Sequence, residues 1–332
     1  MDSESNDAPH SATSVASGSD VGRMRSVNED SCDSFVRPDG ARLLVVADGM
    51  GGHRGGATAS REAVASIGET FERVFEASDT PDPGETLVEA IEQANARIHA
   101  LARQDPELAG MGTTVVAVLL DRAGRAAIAH VGDSRCYRFR NRRLEPLTTD
   151  HSVVAEMLRR GVLTAEEAAN HPRRNEILRS VGVLRDVDVE LAPLEIAPGD
   201  WLLLCSDGLC GVVSDAEIDL VLANASSPEA AVEDLIRLAN ESGGPDNVTV
   251  QILAIGEDWR ADPNAPPITA ARRAAAGGRT DPGARTSPGG LPAPPRAGAP
   301  TPTPRTRRAS AAPAAARSGS RRPLPVRRPG RP

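Results

Sequence analysis

Short apolar runs bounded by turn residues recur along the chain. Segments 43–47, 114–120, 126–131, 201–205 and 248–255 are leucine-rich or β-branched and flanked by Gly, Asp or Pro, which predicts strands. Between the first two runs the period changes. Val64, Ile67, Phe71, Val74 and Phe75, then Leu87, Ile91, Ala94, Ile98 and Leu101, recur every three or four residues and predict two helices. The intervening PDPGE at 81–85 makes them an αα-hairpin able to lay its apolar face on a sheet. Val232, Leu235, Ile236 and Ala239 predict a third helix over 228–241.

The order is therefore strand, helix pair, several strands, a less regular stretch at 150–190, more strands, helix, strand. Regular βαβ alternation is absent, and so is any fixed repeat. This predicts an α+β layered domain, antiparallel sheets covered by helices, over a doubly wound parallel sheet.

Charge divides the chain. The net −8 of the 332 residues sums two opposed parts: residues 260–332 hold 15 arginines against Asp262 and Asp281 (+13), and 1–259 hold 23 arginines against 44 acids (−21). Residues 260–332 also carry 16 of the 27 prolines, with too little apolar surface to offset ordering, and 257–332 reads as a disordered basic tail. The polar, small residues 1–17 lack the layout of a signal peptide and read as a shorter disordered arm. About 240 residues remain, enough for one large domain. No run approaches the roughly 18–20 apolar residues of a membrane span. With four cysteines and no CxxC pair, buried reduced thiols in a cytoplasmic protein are expected. All 38 basic residues are arginine, which excludes P-loop kinases, ordinary protein kinases, Schiff-base aldolases and pyridoxal enzymes, each of which needs a lysine amine.

Three apolar runs lead into the same residue type. LLVVADGMGGH presents Asp48, AAIAHVGDSR presents Asp133 and WLLLCSDGL presents Asp207, while GGPDNVTV puts Asp246 just before a strand. Carboxylates at strand ends beside glycines can converge on one site, where they repel unless cations neutralise them. Without a Cys or His cluster, oxygen-only ligation favours Mg²⁺ or Mn²⁺. An Asp-Gly pair can also mark a plain hairpin turn. That reading suits Asp39-Gly40, but Asp48 leads into GMGGHRGGA and a helix rather than back into a strand. A dinucleotide fingerprint fails because Arg54 stands where the third glycine belongs. The chemistry that suits these residues is metal-assisted attack of water on phosphorus, paired ions lowering the pKa of a bridging water. Its phosphate needs a fixed cation, and Arg25, just ahead of Glu29 and Asp30 in RSVNEDS, is the best placed; a surface ion pair is the plainer reading.

The motifs SDVGRMRSVNEDS, VVADGMGGHRGG, MGTTVVAVLL, HVGDSRCYR, LTTDHS, RSVG, LLLCSDGL and GGPDNVTV, in this order over residues 18–256, resemble those of the bacterial PPM-type metal-dependent serine/threonine phosphatases, the protein phosphatase 2C family. The resemblance implies a four-layer αββα sandwich of two antiparallel β-sheets flanked by helix pairs, with a binuclear Mn²⁺/Mg²⁺ site at one end. It implies that Asp48 bridges both metals, that the Gly49 carbonyl completes one shell, and that Asp207 and Asp246 hold the other ion. Glu29 and Asp30 then act through metal-bound waters, Asp133 supports a third metal with Asp207, and Arg25 binds the substrate phosphate. Related chains carry a histidine two residues after the first Asp, where this one has Met50; His53 is the nearest candidate general acid, an exposed loop histidine or metal-bound water being the alternatives. His151 reads as structural, in a turn with Asp150. Residues 151–190 match a flap beside the cleft, where Arg173 and Arg174 either meet a phosphopeptide or form a solvated face.

The expected function is hydrolysis of phosphoserine and phosphothreonine on proteins, reversing a bacterial Ser/Thr kinase. A catalytically silent phosphoprotein-binding scaffold is the first alternative, against which the intact acid set argues. A metal phosphohydrolase acting on small phosphoesters or nucleic acid is the second, and the −21 domain disfavours long polyanions. The basic tail is expected to contact its own acidic domain, or else anionic lipid or nucleic acid.

Overall fold

A strand buried on both faces reads as an unbroken apolar run, and β5 (Val115–Leu120) and β6 (Ala126–Val131) are buried at every position. In the computed structural model, which describes residues 13–52, 54–78, 80–259, 262, 265 and 268, they lie at the centre of a sheet ordered β2-β3-β5-β6-β9. Its other strands are β2 (Asp30–Val36), β3 (Arg42–Met50) and β9 (Glu190–Leu194), with β4 (Gly112–Thr113) pairing with the end of β3. The second sheet has the order β1-β11-β10-β7-β8, from β1 (Thr13–Asp20), β7 (Arg135–Arg140), β8 (Arg143–Pro146), β10 (Trp201–Cys205) and β11 (Val248–Ile255). Every strand pairing is antiparallel.

Three apolar layers follow from the alternation of side chains. Helices α1 (Gly55–Ala77) and α2 (Pro83–Gln104) press Ile67, Phe71, Ile91 and Ile98 onto Leu43, Val45, Ala117 and Ala129 of the first sheet. The opposite faces, Leu44, Val46, Val116 and Val118, meet Leu202, Leu204 and Leu253 of the second sheet. Helices α6 (Asp215–Asn224) and α7 (Pro228–Glu241) cover that sheet's outer face through Ile218, Leu222, Leu235 and Ala239. The result is the αββα sandwich expected. Helix α2 starts where Asp82 caps the Gly84 and Glu85 amides, with Pro83 in the first turn. Asp39-Gly40 closes the β2–β3 hairpin, as its Asp-Gly signature predicts.

Two expectations need correction. Residues 13–17 belong to β1, paired with β11 from Thr13↔Ile255 to Asp20↔Val248, so the domain begins before residue 18. Their small polar side chains conceal the strand because an edge strand needs backbone pairing more than apolar bulk. At the other end Trp259 is 6% exposed in the layer between the sheets, so the domain also runs past residue 256. Within 151–190 stand two short helices, α3 (Val153–Arg159) and α4 (Ala165–Ala169), on a segment tied down by bridges Ser152↔Ile177 and Thr113↔Val181. Residues 1–12 and 269–332 lie outside the described residues. A four-residue helix, α5 (Asp207–Cys210), follows β10.

Candidate metal centre

The two sheets end together, and their acids meet there. Asp30 and Asp48 are direct partners across the β2–β3 ladder. Asp207 opens α5 where β10 stops, and Asp246 precedes β11, so the second sheet supplies two carboxylates from its central strands. Asp133 lies on the connection from β6 to β7, where the chain passes between sheets.

Mutual approach and burial govern the protonation of these acids. Asp48 is held well above the usual carboxylate range by burial, then by repulsion from Asp30, Asp207 and Asp133. Burial likewise pushes Asp133 up to about 7, with Asp207 and Asp150 adding repulsion. Asp30 is pushed up to about 6 by burial, although hydrogen bonds from Thr249 and Ser206 oppose the shift. Asp207 is raised by burial and by repulsion from Asp246. Ionising the whole set would gather four like charges where water is largely excluded, so without a cation its members hold on to protons.

The donor set fits divalent cations. Asp30 Oδ1 and Asp207 Oδ1 are buried without a hydrogen-bond partner among the described residues, although buried carboxylate oxygens are ordinarily bonded. Asp30 Oδ2, by contrast, accepts from Ser206 Oγ and Thr249 Oγ1, each at 2.7 Å, so its other oxygen is held facing the cluster. Hard oxygen donors, anionic and crowded, are what Mg²⁺ or Mn²⁺ selects.

Neighbouring polar residues lock the acids in place. Thr113 Oγ1 donates to the Asp48 carbonyl at 2.8 Å, and Asp48 N donates to Thr114 Oγ1 at 3.0 Å. Asn247 accepts from Glu29 N at 2.8 Å and donates to the carbonyls of Val21 and Val27 at 2.9 and 3.0 Å. It thereby fastens the β1–β2 loop, with Arg25 and Glu29, to the strand that carries Asp246. Glu29 itself is buried, and Ser60 Oγ donates to its carbonyl at 2.6 Å. Gly49 is obligatory: a Cβ there would collide with the carbonyl oxygens of Gly56 and Glu29, where the first turn of α1 meets β3.

Arg25 reaches the same place. Its Nη2 donates to Asp246 Oδ2 at 2.6 Å, and its side chain is 47% exposed. The surface ion pair and the site arginine are thus one arrangement. Arg135 is engaged elsewhere, its guanidinium making two 2.8 Å bonds to Asp150. His53 lies outside the described residues. His151 is buried, as a structural residue should be, and its Nδ1 accepts from Gly132 N at 3.1 Å. With His130 and Glu190 it forms a group of possible metal ligands whose atoms all lie within 4.8 Å of one another, a closer set than the acids make. That bond requires the proton on Nε2, which faces Glu190 at 3.1 Å, so Nε2 has no lone pair for an ion. Arg173 pairs with Glu176 on the exposed surface, in keeping with the solvated reading of that stretch.

Sequence reasoning found every acid but missed Asn247, Thr113, Thr114, Ser206 and Thr249. All five stand inside the quoted motifs, beside residues that drew attention for their charge.

Comparison with known proteins agrees with this architecture. The family model described as Protein phosphatase 2C matches residues 18–249. The Serine/threonine phosphatase stp of Listeria welshimeri is 39% identical over 234 residues, covering 70% of this chain and 92% of that protein. The crystal structure of the Mycobacterium tuberculosis serine/threonine phosphatase PstP/Ppp superposes with a TM-score of 0.67 at 36% identity, covering 74% of this chain and 99% of that one. A second solved structure, the catalytic domain of PstP in complex with 2 manganese ions, gives a TM-score of 0.63 at 34% identity, covering 74% of this chain and 99% of that one. With the matched model spanning more than half of its length, this chain belongs to the protein phosphatase 2C family.

Proposed function

We propose that the chain, a metal-dependent protein serine/threonine phosphatase, hydrolyses phosphoserine and phosphothreonine on proteins with two Mn²⁺ or Mg²⁺ ions in the cleft and a third beside Asp133. The observation that carries this reading is the meeting of buried carboxylates from both sheets, with oxygens left unbonded, beneath an arginine. Asp48, the Gly49 carbonyl, Asp207 and Asp246 would hold the ions directly, Glu29 and Asp30 through water, and Asp133 with Asp207 the third. When bound, such ions lower the pKa of water and stabilise charge on a phosphoryl oxygen.

The chain's own residues supply the rest. Arg25 exchanges its carboxylate partner for a substrate phosphate, which its fork of N–H donors can grip at two oxygens. Asn247 keeps that arginine over the acids through the β1–β2 loop. His53 is assigned the proton that the leaving alkoxide requires. A serine/threonine kinase would generate the substrates. A silent scaffold is disfavoured because it has no use for repelling buried acids, and a small-phosphoester hydrolase because the relatives are named protein phosphatases.

The direct test is hydrolysis of a phosphothreonine peptide. Activity is expected only with Mn²⁺ or Mg²⁺, stopped by chelation. Asp207→Asn or Asp246→Asn should lower it by more than the ~100-fold typical of losing an outer-shell partner. Turnover that persists in chelator would overturn the mechanism.

A further inference from the structure

The chain crosses from one sheet to the other between β6 and β7, and Asp133 stands on that crossing. Gly132 is its weak point. Strand β6 ends at Val131, so the peptide groups of Gly132 have no ladder partner, and glycine, here at φ 110°, has the most backbone freedom to lose. Left free, it would be a hinge directly before Asp133.

One run of four residues closes the hinge. Thr148 Oγ1 accepts from Cys136 N at 3.0 Å, the Thr149 carbonyl accepts from His130 Nε2 at 2.9 Å, and Asp150 takes two 2.8 Å bonds from Arg135. His151 engages both peptide groups of Gly132. Its Nδ1 accepts from Gly132 N at 3.1 Å, and its own N donates to the Gly132 carbonyl at 2.9 Å. The run therefore grips residues 130, 132, 135 and 136, on both sides of Asp133. The neighbour that remains, Ser134, is held by Thr114, whose Oγ1 lies 2.7 Å from Ser134 Oγ and also accepts from Asp48 N.

His151 suits this contact. Its ring is buried and stacks on that of His130, centroids 4.5 Å apart and 14° from parallel, which sets the ring plane. Burial pushes the imidazole below its ordinary value, so near neutral pH it is uncharged and Nδ1 keeps the lone pair that the Gly132 N–H needs. The other edge faces elsewhere: Nε2 lies 3.1 Å from Glu190 Oε2 and 3.2 Å from Arg179 Nη1.

We propose that the run Thr148–His151 frames Asp133, and that His151 is a positioning residue for the reaction. Through Gly132 it sets the backbone of the crossing, and with it the carboxylate of Asp133, for the third ion. The inference rests on the reading that Asp133 helps to hold that ion. Asp48 and Asp207 sit at the ends of paired strands and Asp246 just ahead of one, so loss of the frame releases Asp133 alone. A histidine placed among possible metal ligands thus aims a ligand instead of serving as one.

The two edges of the imidazole can be removed separately. In His151→Asn the side-chain Oδ1 stands where Nδ1 stood and keeps the bond from Gly132 N, whereas in His151→Gln the amide reaches the place of Nε2 and gives that bond up. Titrating the metal-free full chain with Mn²⁺, with unbound ion read by electron paramagnetic resonance, gives the number and affinity of bound ions. Asp133→Asn identifies the ion that depends on Asp133. His151→Gln should weaken that same ion by about 10–100-fold, the worth of a partner behind a metal ligand, and leave the others unchanged. His151→Asn should bind it as the parent does. Melting curves without metal identify a variant that fails to fold; Thr148→Val, which frees the Cys136 amide from the same frame, then replaces His151→Gln with the same expectation. Parental binding by His151→Gln overturns the proposal. Equal weakening by His151→Asn and His151→Gln does so too, since it would make His151 a purely structural residue. If Asp133→Asn binds every ion of the parent, the reading of a third ion falls and this inference with it. If Asp133→Asn loses an ion that His151→Gln keeps, the inference alone falls.

Discussion

Arg25 and Asp246 form a 2.6 Å ion pair at the end of the sandwich, so the arginine assigned to phosphate rests on an acid assigned to metal. Removing the arginine therefore separates two roles. Arg25→Ala should lower kcat/KM for a phosphopeptide by about 10–100-fold, the worth of a charged hydrogen bond. Mn²⁺ affinity measured by calorimetry should be no weaker, because Asp246 is relieved of a competing cation. Weakened Mn²⁺ binding would make Arg25 a support of the metal site instead. Arg25→Lys should recover only part of the loss, since an ammonium cannot grip two oxygens.

The acids make stability depend on pH when metal is withheld. Burial raises Asp30 to about 6 and Asp133 to about 7, so the folded chain retains protons that an unfolded carboxylate, near 4, has released. The stability they contribute is complete below about pH 4 and lost as pH rises through the folded values. In chelator, Asp133→Asn should gain melting temperature over the parent progressively between pH 4 and 7, by roughly 3–10 °C. A gap that stays constant with pH would show that Asp133 does not titrate there. Added Mn²⁺ should reverse the order, because the parent then gains a ligand.

Asn247 tests the lock rather than the chemistry. Truncation to alanine strips partners from the buried Glu29 amide and from two carbonyls of the β1–β2 loop. A loss of about 2–4 kcal/mol in urea unfolding is expected. The positioning role predicts more: KM for phosphopeptide should rise even well below the melting temperature, as Arg25 is released. Lowered stability with unchanged KM would reduce Asn247 to a structural residue.

His53 is separable by leaving group. His53→Ala should slow hydrolysis of alkyl phosphates, whose alkoxides need a proton, far more than that of aryl phosphates. An equal loss on both would remove it as the acid.

The layers and the acids were legible because each leaves a local trace. Unbroken runs such as 115–120 read as strands buried on both faces, and Val64 to Phe75 reads as one face of a helix. Asp48, Asp207 and Asp246 stood out because charge beside a buried strand demands a reason. What escaped is held by relations between distant segments. β1 is written in Thr, Ser, Ala and Gly and exists through its pairing with β11. Trp259 reads as a lone aromatic at the head of a proline-rich stretch until the gap between the sheets receives it. Asn247 makes its three bonds to a loop some 220 residues earlier, which no window along the chain can display. The helices α6 and β-strands β7 to β9 were likewise hidden, their apolar positions too few or too interrupted for a period to emerge.

Asp30 and Asp48 come from one sheet, Asp207 and Asp246 from the other, and the ions they would share act as rivets between two plates. Without them the plates meet at this end as a repelling seam. With them, sliding one sheet against the other would tear coordination at every rivet at once. Loss of activity on heating should therefore coincide with the opening of the sandwich, and metal concentration should set the temperature of both. A cell that starves this enzyme of its ions would lower the barrier to its disassembly in the same act that silences it.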